Sequence, residues 1–293
     1  VLSAKAQMMV NEYSETKWGS WTSLAGSVVS APSCTNDGTG KVFCAATAAT
    51  GDLEVAIFSG TSWGTPTQVT AALYSAPSCA KYLAGEVLCV ARNATGDLSW
   101  SLYSNGKWSA FASLAITALY APSCTSDGDN GVICSVITTG GTTVVDRYAA
   151  GAWKSALNIG GLAGAPATCN YWQPTGQVTC FAKAQSSGLY VTTFNGGTWS
   201  TANWSSYGDL GGVANEAPSC TTQTTGDLVC GVIGTETNEF YSNVYTDSSN
   251  SWTGWTLVGG TGTGPTSCVP FETGKAICLV MGVNNELSST VGP

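Results

Sequence analysis

The residues of this chain with the clearest chemical potential are twelve cysteines, set as six local pairs. Cys34 pairs with Cys44, Cys79 with Cys89, Cys124 with Cys134, Cys169 with Cys180, Cys220 with Cys230 and Cys268 with Cys278. A pair of thiols can oxidise to a disulfide or, with further donors, hold a metal. Zinc sites set their cysteines only a few residues apart and usually add histidine. Here nine or ten residues intervene within each pair, and the chain has no histidine. The even count and even pairing predict six structural disulfides, an oxidising compartment and a secreted, extracellular protein.

The missing histidine also removes Ser-His-Asp and Cys-His nucleophile systems, and His-ligated zinc, iron and copper centres. No glycine-rich phosphate loop opens a helix after a strand. A glycosidase would need only two carboxylates flanking a cleft. Asp52 and Asp97, in Gly-Asp-Leu turns, and Glu239 and Glu286, near the matching turns of later repeats, are the candidates. Their recurrence is better explained by turns that Asp stabilises through local hydrogen bonds. The loops at Thr35–Gly38 and Ser126–Asp129 hold Asp37, Asp127 and Asp129, too few oxygen ligands for calcium, and read as solvated turns. The expectation is a protein that is not an enzyme, with no cofactor and no metal.

Aromatics are the other group with chemistry to offer, because sugar rings stack their C–H faces on Trp or Tyr while their hydroxyls seek polar neighbours. The chain has eleven Trp and eleven Tyr. Trp63, Trp108, Trp153, Trp199 and Trp252, with Trp18, recur once per repeat. They either pack between neighbouring units, as a residue kept in every copy usually does, or serve as sugar platforms. Trp100, Trp172 and Trp204 break the pattern, so packing common to all units does not account for them. Trp172 sits beside Tyr171 in a loop, which predicts an exposed pair. Tyr74 and Tyr120 lie in connections between units and are further candidates to face a ligand.

The elements that position these residues are legible from the repeat. Successive first cysteines are 45, 45, 45, 51 and 48 residues apart, a period that marks one supersecondary unit copied around an array. In the first copy, Ala31-Pro-Ser-Cys34 opens a strand and Lys41-Val-Phe-Cys44 a second. Leu53-Glu-Val-Ala-Ile-Phe58 forms a third and the stretch after Trp63 a fourth. Apolar alternation between Gly, Ser, Asn and Asp turns predicts strands and essentially no helix. Residues 1–30 hold only the late part of a unit and 264–293 only the early part, so together they make a sixth. The reading is an all-β, six-bladed β-propeller of four-stranded antiparallel blades over residues 1–293, a single domain with one disulfide per blade. Its ring closes where the N-terminal strand joins the last blade, removing exposed end edges. Both Leu287–Val291 and Met8–Tyr13 could supply the third strand of that shared blade.

The recurring Ala-Pro-Ser-Cys opening, the Gly-x-Val second strand and the Gly-x-x-Trp turn resemble the bacterial and fungal propeller lectins with Trp-x-x-Trp-type repeats. The Photorhabdus-lectin-like family is nearest in pattern, with the fucose-binding fungal propeller lectins behind it. The position three residues after the repeated Trp reads Trp21, Pro66, Phe111, Ala156, Ala202 and Trp255. The resemblance implies sugars bound in shallow pockets on or between blades, without catalysis. Only Arg92 and Arg147 are arginines, so six equivalent arginine-based pockets are excluded, as is the three-arginine clamp of the sialidases.

Charge narrows the partners further. Net charge is -8 and only 10% of residues are charged, with no cationic cluster to displace counterions from nucleic acid. No apolar run is long enough to insert into a membrane. Glycans or glycoconjugates are the expected partners, bound at several blade-repeated weak sites, and an oligomer is compatible with the chain. A protein-interaction scaffold is the alternative, and a glycan-cleaving enzyme the third reading.

Overall fold

A computed structural model describes residues 6–11, 13, 14, 17, 18, 20–24, 26–271, 273–282 and 287–292. The strands form the antiparallel sheets of a six-bladed β-propeller, and the short 3-10 turn Thr201–Asn203 is the only helical element among the described residues. No helix is long and apolar enough to cross a membrane. The chain packs as two compact units, Val1–Cys124 with Asn130–Val132, and Thr125–Asp129 with Ile133–Pro293.

In the first unit, repeat one pairs Ser33–Asn36, Val42–Thr47, Leu53–Phe58 and Thr67–Val69 in chain order. Repeat two does the same with Ser78–Lys81, Val87–Arg92, Asp97–Ser104 and Ala112–Thr117. In the second unit, Thr168–Trp172, Gln177–Lys183, Gly188–Phe194 and Gly208–Val213 make the fourth blade. Ser219–Thr222, Leu228–Ile233, Glu239–Thr246 and Thr256–Thr261 make the fifth. Of the two candidates for the last third strand, Leu287–Gly292 takes the place beside Lys275–Met281. Met9–Val10 pairs instead with Thr22–Ser23.

All twelve cysteines are disulfide-bonded, one bridge to a blade. Cys34 faces Cys44 across the first two strands of its blade. The same register sets Cys79 opposite Cys89, Cys169 opposite Cys180, Cys220 opposite Cys230 and Cys268 opposite Cys278. Cys124 and Cys134 are disulfide-bonded as well. The bridges staple single blades and leave cohesion between blades to other contacts.

Part of that cohesion comes from the serine of the Ala-Pro-Ser-Cys opening. Ser33 Oγ accepts the amide of Cys79 at 2.9 Å, Ser78 Oγ that of Cys124 at 2.8 Å, and Ser219 Oγ that of Cys268 at 3.0 Å. First strands of neighbouring blades lie side by side without a ladder, so these amides would be orphaned without the hydroxyl. Ser78→Ala should therefore lower stability by about 1–3 kcal/mol, read from denaturant melts.

Between blades the core is aliphatic and aromatic. Phe43, Leu53 and Val55 of the first blade pack with Val87, Cys89 and Ala91 of the second, all buried. Phe181 and Leu189 pack with Leu228 and Val232 in the same way.

Of the aspartates in the first-to-second-strand loops, Asp37 and Asp127 are buried, in place of the solvated turns that the sequence predicts, while Asp129 is exposed as expected. Asp37 Oδ1 accepts Thr39 N at 2.8 Å and Lys41 N at 3.2 Å, and Thr39 Oγ1 adds a further bond at 2.8 Å. Asp127 is buried against Arg147, whose Nε donates to it at 2.6 Å. Burial pushes the Asp37 carboxyl up, but the bonds from Thr39 and Lys41 outweigh it and hold the group below its ordinary value of 3.8. A carboxylate depressed on folding stabilises above its unfolded pKa, and that contribution fades as pH falls through the folded value. Asp37→Ala should thus be destabilising by about 1 kcal/mol at pH 7, with the gap to wild type closing as pH falls below the ordinary value of 3.8.

Candidate functional site

The repeated tryptophans sit where blade packing needs them. Each closes on the aromatic that ends the third strand: Tyr103 faces Trp108, Tyr148 faces Trp153, Tyr245 faces Trp252, and Phe58 bridges to Trp63. Ring centroids in these pairs are 5.3–5.4 Å apart. Trp108 also meets Phe43 of the preceding blade edge-on at 6.4 Å, and Trp252 meets Phe181 at 6.1 Å. All are half-buried among apolar neighbours.

The fourth blade departs from the expected alignment. Phe194 bridges to Trp204, and Trp199 is displaced into an insertion, where its Nε1 donates to Ser155 O at 2.8 Å. Of the six extra residues of that repeat, 51 against 45, five fall between Phe194 and Trp204, the stretch that holds the turn Thr201–Asn203. Trp204, 7% exposed, thus belongs to the repeated series rather than breaking it. Tyr207, not Ala202, is its partner three residues on.

That downstream position is where the structure concentrates a surface site. Tyr207 and Trp255 each immediately precede a fourth strand and lie over a Gly-Gly bulge of the preceding blade. Gly160, Gly161, Gly211 and Gly212 are all left-handed, with φ of 82°, 77°, 68° and 75°. Asn158 Oδ1 accepts Gly160 N at 2.9 Å and Asp209 Oδ1 accepts Gly211 N at 2.8 Å, which fixes each bulge. A Cβ at Gly161 would stand 3.1 Å from the Tyr207 ring, and one at Gly212 would stand 3.0 Å from the Trp255 ring. The absent side chains let the aromatics seat this closely.

Both rings are half-buried, and only that of Trp255 is tied by its polar tip. Trp255 Nε1 donates to Gly211 O at 3.0 Å. The Tyr207 hydroxyl turns inward toward Thr143 Oγ1; both oxygens are buried, and neither completes a hydrogen bond of ordinary geometry. Burial pushes the Tyr207 phenol above its usual pKa, an effect the Thr143 hydroxyl partly offsets.

Beside each ring stands a second tyrosine in matching register. Tyr190 pairs with Ala182, and Tyr241 with Val232, each two residues past a blade cysteine. The result is two repeat-equivalent clefts in the second unit. One, of about 500 Å³, is lined by Tyr190, Tyr207, Thr143, Asn158, Gly161 and Leu162 and carries no charge. The other, of about 190 Å³, is lined by Tyr241, Trp255, Gly212, Val213 and Thr237, with Glu236 at its edge. In the first unit Phe111, at the same position, is packed into the core with Val69 and Ala71. Gly212→Ala should cost about 1 kcal/mol from its left-handed backbone alone. It should also shift the Trp255 fluorescence, because the new Cβ displaces the indole.

The remaining candidates divide. Trp172 is a correction: it ends the strand Thr168–Trp172 and is 7% exposed, in place of a solvent-facing loop. Its Nε1 donates to Gly226 O at 2.7 Å and its ring meets Tyr245 at 4.9 Å, so it fastens the fourth blade to the fifth. Trp100 is half-buried between Val90 and Ala112, with Ser99 and Ser101 buried on the other face. Tyr74 is 71% exposed and Tyr120 half-buried, and both lie on connections that contact Arg92 or flank its contacts.

The carboxylates considered for catalysis serve turns. Asp52 Oδ1 accepts Ala71 N at 3.0 Å and Asp97 Oδ1 accepts Thr117 Oγ1 at 2.8 Å. The bonds from Ala71 and Thr50 hold the Asp52 carboxyl below its ordinary value. Glu239 begins a third strand, and Glu286 lies outside the described residues. Among the described residues no group of three Cys, Asp or Glu side chains could hold a metal ion.

No protein-family model and no curated protein matches the chain. Solved structures do. The BP39L lectin of Burkholderia pseudomallei superposes with a TM-score of 0.84 at 14% identity, over 99% of this chain and 90% of its own. AofleA of Arthrobotrys oligospora gives 0.63 at 13% identity, over 91% and 83% of the two chains. The Aleuria aurantia lectin, solved with Fucα1-6GlcNAc, gives 0.60 at 11% identity, over 87% and 88%. This chain has the six-bladed β-propeller fold of these lectins.

Proposed function

We propose that the protein binds carbohydrate without acting on it, as a secreted, disulfide-stabilised lectin whose 293 residues form one propeller domain. The observation that carries the reading is the pair of repeat-equivalent clefts, each with two aromatic rings fixed at its wall. Tyr190 with Tyr207, and Tyr241 with Trp255, offer flat apolar faces beside hydroxyl and amide groups, the combination a sugar ring requires. The company of sugar-binding lectins among proteins of this fold supports it. Two sites of unequal size would bind weakly alone and gain by joint engagement of one glycan-bearing surface.

The test is a glycan array with the native, oxidised protein, repeated with EDTA and beside the double variant Tyr207→Ala with Trp255→Ala. The expected result is binding to one glycan class, competed by its terminal monosaccharide and unchanged by EDTA. The double variant should bind about tenfold more weakly or worse, the loss of about 1.4 kcal/mol of stacking. Silence across the array, with a folded protein, would move the reading to a protein-interaction scaffold. Appearance of a cleavage product from the glycan pool would identify an enzyme instead.

A further inference from the structure

Arg92 is built into the first unit in a way that nothing in blade packing requires. It ends the second strand of the second blade, where the other blades have Thr47, Ile137, Lys183, Ile233 and Met281. Its backbone is clamped: the amide donates to Ser75 Oγ at 2.9 Å, and its carbonyl accepts the Tyr74 amide at 2.8 Å. The guanidinium is steered by two carbonyls, since Nη1 donates to Ala118 O at 3.3 Å and Leu119 O at 3.1 Å. Its Cζ lies 5.2 Å from the centre of the Tyr74 ring, within cation–π range. Tyr74 itself is 71% exposed, so the platform under the cation faces solvent.

Carbonyl oxygens orient this cation and do not neutralise it. Among the described residues the ion pairs are those of Arg147 with Asp127 and Asp129, and Arg92 has no carboxylate partner. The contrast with the other basic residue at this position is informative. Lys183 is close enough to Glu216 to pull down a carboxyl that burial pushes up. Glu216 precedes the Ala-Pro of its connection, and the residue in that place near Arg92 is Tyr120. One repeat carries a basic residue with its counter-charge, and the other carries a basic residue with an aromatic on either side of it in sequence. Among the described residues Nη2 has no acceptor, and it is not one of the buried unsatisfied atoms. Nε is buried without a partner and Nη1 is held by the two carbonyls, so Nη2 is the nitrogen left for a ligand.

We propose that Arg92, on its Tyr74 platform, is a recognition site for the carboxylate or sulfate group of an acidic sugar. Nη2 would donate to an anionic oxygen, and the exposed tyrosine ring would carry the C–H face of the sugar. The anion is assigned from Arg92 alone; its attachment to a sugar rests on the carbohydrate reading above. Because net charge is -8, attraction comes from the local contact and is opposed at long range. Binding should weaken as salt rises, as expected for an exposed charge pair.

The test is calorimetric titration at low salt with methyl β-glucuronide and galactose 6-sulfate, against methyl β-glucoside and inorganic sulfate. Both acidic sugars should bind, with the uncharged glucoside at least about tenfold weaker, in line with a charge-assisted contact. Arg92→Gln should remove that preference, Arg92→Lys should keep part of it, and Tyr74→Ala should weaken the sugars while leaving inorganic sulfate unchanged. Melting curves check that each variant is folded, and Arg92→Lys keeps the charge should Arg92→Gln lose the carbonyl contacts that hold the loop. Equal binding of glucuronide and glucoside, or acidic-sugar binding untouched in folded Arg92→Gln, would overturn the proposal. Inorganic sulfate binding as tightly as the sulfated sugar, with Tyr74→Ala without effect, would leave an adventitious ion only and overturn it too. Loss of the acidic preference with array binding intact sinks this site alone. Array silence with Arg92-dependent binding intact sinks the aromatic clefts alone.

Discussion

Reduction of the disulfides is expected to unfold the protein at temperatures where the oxidised form is intact. Each bridge closes a loop of ten or eleven residues within one hairpin. A loop of that size contributes about 2–3 kcal/mol by limiting the unfolded chain. The net stability of a domain is only about 5–15 kcal/mol, so removing six such terms together exceeds or matches it. The measurement is a melt with and without reductant, with thiol alkylation before and after. No cysteine should label in the native state and all twelve after reduction. An unchanged melting temperature in fully alkylated protein would show that the blades hold without their staples.

The second large effect is Phe43→Ala, expected to cost about 3–5 kcal/mol as a fully buried aromatic leaves a cavity. Phe43 is completely buried, 4.7 Å from the Tyr103 ring and within edge contact of Trp108, so it joins the first blade to the second. Trp108→Ala should be destabilising for the same reason, while leaving affinity for sugar intact in whatever fraction stays folded. Urea melts of both variants check this. A loss below about 1 kcal/mol for Phe43→Ala would place the cohesion between these blades elsewhere.

Much of the fold is legible in the sequence because its signals are local. Alternation and turn residues locate Leu53–Phe58 to the residue, and the spacing of cysteines matches the pairing of the first two strands. What the pattern does not supply is contact across repeats. The serine of Ala-Pro-Ser-Cys reads as a strand opening, yet Ser33 acts on Cys79, 46 residues away. Trp172 reads as a loop residue because Asn170-Tyr171-Trp172 lacks alternation, although it continues a strand whose last ring is covered by the next blade.

The candidate site is half legible. Trp-x-x-aromatic spacing points to Trp255, but the insertion after Phe194 shifts the fourth copy, hiding Trp204-x-x-Tyr207 behind Trp199. The Gly160-Gly161, Gly211-Gly212 and Gly259-Gly260 doublets are the signal that periodicity alone passes over: left-handed pairs at one place in three repeats. Read together with the aromatic preceding each next fourth strand, the first two mark the seats of Tyr207 and Trp255. The repeated tryptophans suit both core and platform by sequence, and in the structure they pack half-buried against third-strand aromatics.

The most direct test of the account is fluorine NMR of the protein labelled with 5-fluorotryptophan, titrated with the glycan the array returns. Eleven tryptophans report at once, assigned by single Trp→Phe variants. The account predicts a saturable shift of Trp255, with Trp63, Trp108, Trp153, Trp204 and Trp252 unmoved, and loss of that shift in Gly212→Ala. Shifts confined to the repeated tryptophans, with Trp255 silent, would contradict it and move the sugar sites from the glycine-bulge clefts to the blade seams.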